Sequence, residues 1–258
     1  VGSEMCIRDR LGELYMQQLK ANIRLTDACN VELQVKESML KQEYSKIAAA
    51  PTTEFHGEEL NFYGLLKKMQ SDDRLIRKEA LEAWSALYES ISGKLDEIYT
   101  ELMKLRLQMA ENLGFESYED MVFLKMGRFT YTPEDLAVFR QQVCEHVVPI
   151  CEKLFENQRQ RLGLDALHYY DESMVFPDGN AMPMGTTQEL LDKAGKMYRE
   201  ISKETGEFFD FMLEYDLFDL ETRNGKQQGG YCTTFPDFKA PFIFSNFNGT
   251  DADIDVLT

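Results

Sequence analysis

Residues 71–114 read SDDRLIRKEALEAWSALYESISGKLDEIYTELMKLRLQMAENLG, and this stretch decides the fold class. Its apolar residues recur at alternating steps of three and four, the spacing of one continuous stripe along a helix. The stripe consists of Leu81, Trp84, Tyr88, Ile91, Leu95, Ile98, Leu102, Leu105 and Met109. A capping hydroxyl at Ser71 and a stop at Gly114 predict one long helix between them.

Two kinds of protein use a helix of this type. Trp84, Tyr88 and Tyr99 are bulky for a two-stranded coiled coil, which favours packing inside a larger bundle. A non-catalytic interaction protein, built as a helical bundle or coiled coil on this stripe, stays open as an alternative.

Before the stripe, the sequence is less regular. Residues 1–10, VGSEMCIRDR, fit no neighbouring pattern and resemble a translated adapter, so we exclude them and Cys6 from the fold prediction. Residues 11–46 are rich in helix formers. Residues 54–61 predict a short extended piece with a turn at Gly57.

After the stripe, two capping boxes predict further helices. Thr132 with Asp135 and Thr186 with Glu189 each place a hydroxyl three residues before an acid. Pro149 should kink the first of these helices. The predicted buried face of that helix consists of Leu136, Phe139, Val143, Val147, Ile150 and Leu154.

The period of the pattern changes near residue 215. Asn224-Gly225 predicts a tight turn, and residues 229–235 and 241–248 predict short strands. The predicted fold is therefore mainly α, a large helical bundle with a small β-sheet near the C-terminus.

Composition excludes several classes of protein. Lys and Arg number 28 and Asp and Glu 45, a net charge of −17, whereas a phosphate-binding surface needs clustered cations; we expect no nucleic-acid partner. Apolar runs are too short for a membrane span. Five widely spaced cysteines predict reduced thiols and a cytoplasmic location.

Metal-ligating and nucleophilic motifs are sparse. Three histidines occur, none in an HExxH pair, and GxSxG, P-loop and GxGxxG motifs are absent from the sequence. His146 lies between Cys144 and Cys151, but the three positions do not share one helix face. We therefore predict no catalytic residue and no metal ligand within this chain.

Residues 229–232, Gly-Gly-Tyr-Cys, leave two interpretations open. They are typical of a strand softened by glycine after a turn, and also of a strand that another backbone approaches closely. A strand with unpaired amides at a sheet edge can bind an extended peptide by strand addition.

The C-terminal block also carries a family resemblance. RNGKQQGGYC (223–232), PDFKAPFIFSNFNGT (236–250) and DIDVLT (253–258) resemble oligoendopeptidase F and its relatives, zinc metallopeptidases of the thimet oligopeptidase superfamily. Residues 73–80, 113–118 and 169–179 support the likeness, which covers residues 11–258.

This resemblance implies a helical zinc oligopeptidase whose channel admits short unfolded peptides. Its HExxH helix would begin directly after residues 255–258, so the zinc ligands and the general base would lie beyond Thr258. The chain would then be an inactive N-terminal fragment. Its regions would be an adapter-like segment (1–10), an N-terminal helical and extended region (11–70) and a partial peptidase domain (71–258) ending at the substrate-binding sheet.

The resemblance also implies a role for the glycine-containing strand. In related peptidases an edge strand before the zinc helix binds the peptide backbone. Gly229, Gly230, Tyr231 and Cys232 occupy the matching place, so we expect these four residues to bind substrate.

Overall fold

The computed structural model describes residues 10–258; most of the predicted adapter-like segment lies outside this range. The helices are α1 (Glu13–Leu25), α2 (Val31–Ala49), α3 (Phe62–Lys68), α4 (Arg74–Asn112), α5 (Tyr118–Lys125), α6 (Pro133–Gln142), α7 (Val148–Arg161), α8 (Thr187–Ile201), α9 (Lys203–Glu214) and α10 (Ala252–Asp255). The strands are β1 (Thr53–Phe55), β2 (Glu58–Leu60), β3 (Phe218–Glu221), β4 (Tyr231–Phe235) and β5 (Ala240–Phe247). The mainly α prediction with a small C-terminal sheet is confirmed.

These elements fall into two compact units. Unit 1 comprises residues 10–44 and 93–153, and unit 2 comprises residues 45–92 and 154–258. Among residues 10–258, no helix combines the length and the hydrophobicity that crossing a membrane requires.

Unit 1 is built around the C-terminal part of α4. Met109 and Ala110 of that helix are buried against Met121 of α5. The buried side chain of Asn30 donates to the Met109 carbonyl at 3.0 Å and accepts from Asn112 at 2.9 Å. The buried amide of Asn30 therefore has hydrogen-bond partners for both its donor and its acceptor, as buried polar groups usually do.

The predicted buried face of α6 and α7 is wrong for the described structure. Phe139 and Ile150 are 64% and 56% exposed, and α6 has no buried residue. The periodicity is that of an amphipathic helix, but four of the six residues of that face, Phe139, Val147, Ile150 and Leu154, are exposed in the described structure. A π-helical turn, Val143–Val147, directly precedes α7 and lies just before Pro149, where we predicted a kink.

Unit 2 contains two apolar clusters. In the first, the β1–β2 hairpin and α3 pack against the N-terminal part of α4, with Phe55, Phe62, Leu65, Ala80 and Leu87 buried. Gly57 has a φ of +84° in the hairpin turn, so the predicted turn is confirmed. The aromatic residues of the stripe, Trp84 and Tyr88, pack within this cluster rather than along a free coiled-coil seam.

The second cluster lies under the sheet that carries the site. Leu190, Leu191, Ala194, Phe209, Leu220 and Phe247 are buried there, from α8, α9 and the sheet. The strands run in the order β3-β5-β4, with β3 parallel and β4 antiparallel to β5. The sheet is thus fixed on α8 and α9, and β4 forms one of its edges.

The helix boundaries follow their capping groups. Both predicted capping boxes, Thr132–Asp135 and Thr186–Glu189, are present. The long helix begins three residues after Ser71, because the Asp73 carboxylate accepts the Leu75 N–H at 2.8 Å. The prediction of one continuous helix is confirmed, with Asp73 rather than Ser71 as its cap.

Candidate functional site

The candidate site is the outer edge of β4. This strand pairs with β5 on one side only, from Tyr231 opposite Phe244 to Phe235 opposite Ala240, and all five of its residues are exposed. Backbone N–H and C=O groups along an unpaired edge can hydrogen-bond an additional strand. The edge is therefore open to an extended peptide.

Two glycines precede the strand, which begins at Tyr231 rather than at Gly229 as predicted. Gly229 has a φ of +91°, a conformation that L residues with a side chain adopt only under strain. Gly230 lies close to β5: an added Cβ would be 3.2 Å from the Phe244 carbonyl oxygen. Position 229 thus favours glycine because of its backbone conformation, and a side chain at Gly230 would require β5 to shift by a few tenths of an ångström.

Side-chain hydrogen bonds hold both the N–H and the carbonyl of Gly229. The Gly229 N–H donates to the Tyr63 hydroxyl at 2.8 Å. The Asn246 side-chain amide donates to the carbonyls of Gly229 at 2.8 Å and Gln227 at 3.0 Å. These contacts fix the chain just before it enters the edge strand.

Tyr231 belongs to a stack on one face of the sheet. Its ring lies parallel to the Phe244 ring, with centroids 5.0 Å apart, and stays half exposed. The Lys226 ammonium lies 4.5 Å from the centroid of the Phe244 ring. Tyr231 is thereby supported from beneath while its other face can contact a ligand.

Lys226 is buried and fully coordinated by oxygen. Its ammonium donates to the carbonyls of Asp219 at 3.0 Å and Glu221 at 2.7 Å, and to Asp219 Oδ1 at 3.0 Å. Burial lowers the pKa of Lys226 more than the Asp219 carboxylate raises it. Hydrogen bonds from Arg223, and secondarily from Lys226, lower the pKa of Asp219 to about 2 against the opposing effect of burial.

Cys232 lies beside an apolar cavity. It is paired with Ile243, which packs on the core formed with α8 and α9. A cavity of about 200 Å³ opens there, with Phe208, Met212, Ile243 and Leu257 among its lining residues. Cys232 itself is exposed, so a thiol reagent in solvent can reach it.

The loop after β5 is closed by a buried carboxylate. Asp253 accepts the N–H groups of Asn248 at 3.1 Å and Gly249 at 2.7 Å. Burial raises the pKa of Asp253 despite these bonds. The loop is also fastened to α3, because the Asn248 amide donates to the Tyr63 carbonyl at 3.1 Å.

The described residues do not fit a zinc ion. Residues 10–258 contain no group of three or more His, Cys, Asp or Glu side chains placed to hold a metal. His56 instead pairs with Glu79 at 2.8 Å, and the His168 ring stacks on Tyr170.

The four predicted site residues are consecutive: Gly229 and Gly230 lie at the entry of the edge strand β4, and Tyr231 and Cys232 are its first two residues. Sequence reasoning missed the three residues that support them: Tyr63, Lys226 and Asn246. Lys226 and Asn246 lie inside the stretches that carry the family resemblance, but no pattern indicated their contacts. Tyr63 lies outside those stretches, and only the tertiary structure identifies it.

Comparison with known proteins agrees with this architecture. PZ peptidase A, solved with an inhibitor, matches with a TM-score of 0.94 and 42% identity, over 98% of this chain and 45% of that one. A Bacillus anthracis (strain Ames) protein assigned as an oligoendopeptidase F matches with a TM-score of 0.92 and 39% identity, over 98% of this chain and 46% of that one. The group B oligopeptidase PepB of Streptococcus agalactiae serotype III (strain NEM316) is 24% identical over 196 residues, which is 74% of this chain and 31% of PepB.

The chain thus spans less than half the length of each of these relatives. The resemblance to oligoendopeptidase F is confirmed. Residues 68–258, most of the chain, match the sequence model of Peptidase family M3. The chain belongs to peptidase family M3.

Proposed function

We propose that this chain forms the scaffold and the substrate-binding strand of a zinc metallo-oligoendopeptidase that hydrolyses short unfolded peptides. The observation that carries the proposal is the open edge of β4, exposed along its whole length in a member of a peptidase family. Strand addition recognises an extended backbone and discriminates against folded proteins, whose backbone groups are already paired.

Within this proposal the four residues have different roles. Gly229 leaves room for the substrate backbone, since it carries no side chain, and Gly230 lets the start of the substrate strand lie close to β5. Alternate side chains of an added strand point to opposite faces of the sheet. On one face they meet the Tyr231 ring, and on the other they lie near Cys232 and its apolar cavity.

The proposal places the zinc ligands and the general base outside residues 10–258, in polypeptide following Thr258. The chain by itself then hydrolyses no peptide, and the complete enzyme acts in the cytoplasm. The alternative, a non-catalytic helical bundle or coiled-coil interaction protein, is less favoured because Trp84 and Tyr88 of the α4 stripe pack within an apolar cluster of unit 2, and Met109 packs within one of unit 1.

Sequencing the source locus beyond the codon for Thr258 tests the zinc part of the proposal. We expect an in-frame HExxH within the next few codons, and hydrolysis of short peptides by the extended protein but not by this chain. A stop codon directly after Thr258, or peptide hydrolysis by the 258-residue chain, would overturn that part.

Chemical footprinting tests the substrate strand separately. The chain is treated with iodoacetamide with and without an acetylated Lys-Val-Ala-Val-Lys pentapeptide, and alkylation of each cysteine is followed by mass spectrometry. We expect the peptide to slow alkylation of Cys232 several-fold. Cys29, Cys144 and Cys151 are exposed elsewhere and serve as internal controls.

The matched control ligand is the same pentapeptide with N-methylated backbone amides, which cannot pair as a strand. It should leave Cys232 unprotected. Equal protection by both peptides, or equal protection of Cys232 and the three control cysteines, would contradict strand addition at β4.

A further inference from the structure

Helix α3 is a rigid element next to the entry of the edge strand. Phe62 and Leu65 anchor it in the core, with exposures of 3% and 0%. Asn61 caps it by accepting the Gly64 N–H at 3.0 Å. The Asn61 amide also donates to Thr222 Oγ1 at 3.3 Å, so the helix start is tied to the segment that leads toward β4.

Tyr63, on this helix, contacts the two residues that flank the β4–β5 pair in sequence, one before β4 and one after β5. Its hydroxyl accepts the N–H of Gly229, two residues before β4 begins. Its carbonyl accepts from the side chain of Asn248, the residue that follows β5. One residue of α3 therefore bonds to both the entry of the edge strand and the exit of its partner.

The Gly229 peptide unit depends on these contacts because it gains little from local structure. It precedes the strand and has a positive φ, so neither a helix nor a sheet ladder orients it. The Tyr63 hydroxyl binds its N–H, and Asn246 binds its carbonyl from the opposite strand. Removing the hydroxyl leaves Gly229 held by its carbonyl alone.

We propose that Tyr63 is a positioning residue for the substrate strand: its hydroxyl fixes the Gly229 N–H and thereby sets how the outer edge of β4 is presented to a peptide. This inference rests on the proposed function. It assigns a role to a residue that precedes the segment matching the family, residues 68–258. Tyr63 acts through Gly229 and need not touch the peptide.

Amide exchange measures the contact without any peptide. In protein labelled with ¹⁵N-glycine, we compare the hydrogen-exchange rate of the Gly229 N–H between the unaltered protein and Tyr63→Phe. Loss of one hydrogen bond should speed its exchange about 2- to 10-fold, while the Gly64 amide, capped by Asn61 on the same helix, stays unchanged. Tyr99→Phe, an exposed tyrosine on α4, is the matched control and should alter neither.

Peptide binding by fluorescence polarisation, with fluorescein-labelled Lys-Val-Ala-Val-Lys, measures the consequence. We expect Tyr63→Phe to raise the dissociation constant about 3- to 10-fold, the effect of losing one well-placed hydrogen bond. Tyr99→Phe should bind like the unaltered chain.

The outcomes separate this inference from the proposed function. If the unaltered chain binds the peptide but Tyr63→Phe binds it equally well, the inference is overturned and the proposed function stands. If the unaltered chain binds no peptide, the substrate-strand proposal fails, and with it the role of Tyr63 in presenting that strand. Equal slowing or speeding of all glycine amides would indicate a general structural effect and would also overturn the inference.

Discussion

Arg77 donates a 2.9 Å hydrogen bond to Asp171, and both side chains are buried, at 5% and 0% exposure. Arg74 binds the same carboxylate through two further bonds, of 3.0 and 2.8 Å. These residues come from two separate stretches that carry the family resemblance, 73–80 and 169–179. The structure joins the two stretches in one ion cluster that fastens α4 to the segment after α7.

Asp171→Asn should be strongly destabilising. Removing the charge leaves the buried Arg77 guanidinium without its carboxylate partner, a change that costs about 3–5 kcal/mol when a buried ion pair loses one member. Urea denaturation of the two proteins measures the difference. The control is Asp210→Asn, which breaks the half-exposed pair with Arg199 and should cost about 1 kcal/mol or less. Equal losses in the two variants would show that burial of the Asp171 pair is unimportant.

Stability should also fall in acid because of Asp171. Burial raises the pKa of this carboxyl, but hydrogen bonds from Arg74, the His168 N–H and Arg77 outweigh burial and hold the pKa at about 2. An ordinary aspartate in the unfolded chain titrates near pH ~3.9. Because the folded pKa is the lower one, the stabilisation is complete above pH ~4 and is lost as pH falls toward 2.

Urea denaturation at a series of acidic pH values measures this loss. Asp171→Asn should flatten the dependence in that window, and Glu97→Gln, at an exposed position on α4, should leave it intact. An unchanged acid slope in Asp171→Asn would assign the acid sensitivity to other groups.

Glycine-to-alanine substitutions at two positions should change the free energy of unfolding in opposite directions. Gly229→Ala places a side chain at a φ of +91° and should cost about 1–2 kcal/mol. Gly93→Ala lies within α4, where an added Cβ meets no atom within 4 Å, and should stabilise the chain by about 0.5–1 kcal/mol. Thermal unfolding of both variants checks the signs. Stabilisation by Gly229→Ala would mean that the backbone at 229 is not held in the positive-φ conformation.

Local patterns in the sequence predicted what local forces determine. The α4 stripe, both capping boxes and the hairpin turn at Gly57 were correct, because each depends on residues close in the chain. Strand β3 was missed, since Phe218–Glu221 is only four residues long and its parallel partner β5 is distant in sequence. The apolar face of α6 was recognised, but whether a face is covered depends on what packs against it.

At the candidate site too, features set by nearby residues were predicted, and contacts between distant residues were not. Glycines and an aromatic residue after a turn indicated a strand, and the family resemblance implied its edge position. The supporting contacts of Tyr63, Asn246 and Lys226 join residues that no periodicity relates. Gly229 was assigned to the strand because a positive φ cannot be told from composition alone. The turn at Asn224-Gly225, a local feature, was correct: Gly225 has a φ of +75°.

The support beneath Tyr231 gives the last prediction. Lys226→Met keeps an unbranched side chain that is one atom shorter and removes the ammonium, so the carbonyls of Asp219 and Glu221 lose their shared donor. Leaving such acceptors unsatisfied should lower the free energy of unfolding by about 2–3 kcal/mol. Lys78→Met, at a half-exposed lysine paired with Glu82, is the control and should change it by less than about 0.5 kcal/mol.

Beyond stability, Lys226→Met should weaken binding of the labelled pentapeptide, because the ammonium no longer holds the Phe244 ring on which Tyr231 stacks. Fluorescence polarisation at a temperature where the unaltered protein and Lys226→Met are both fully folded separates this effect on binding from unfolding. Phe244→Leu removes the stacked ring directly and should weaken binding in the same direction. If Lys226→Met lowers stability while peptide affinity is unchanged, Lys226 stabilises only the segment between β3 and β4, and the stack does not position Tyr231.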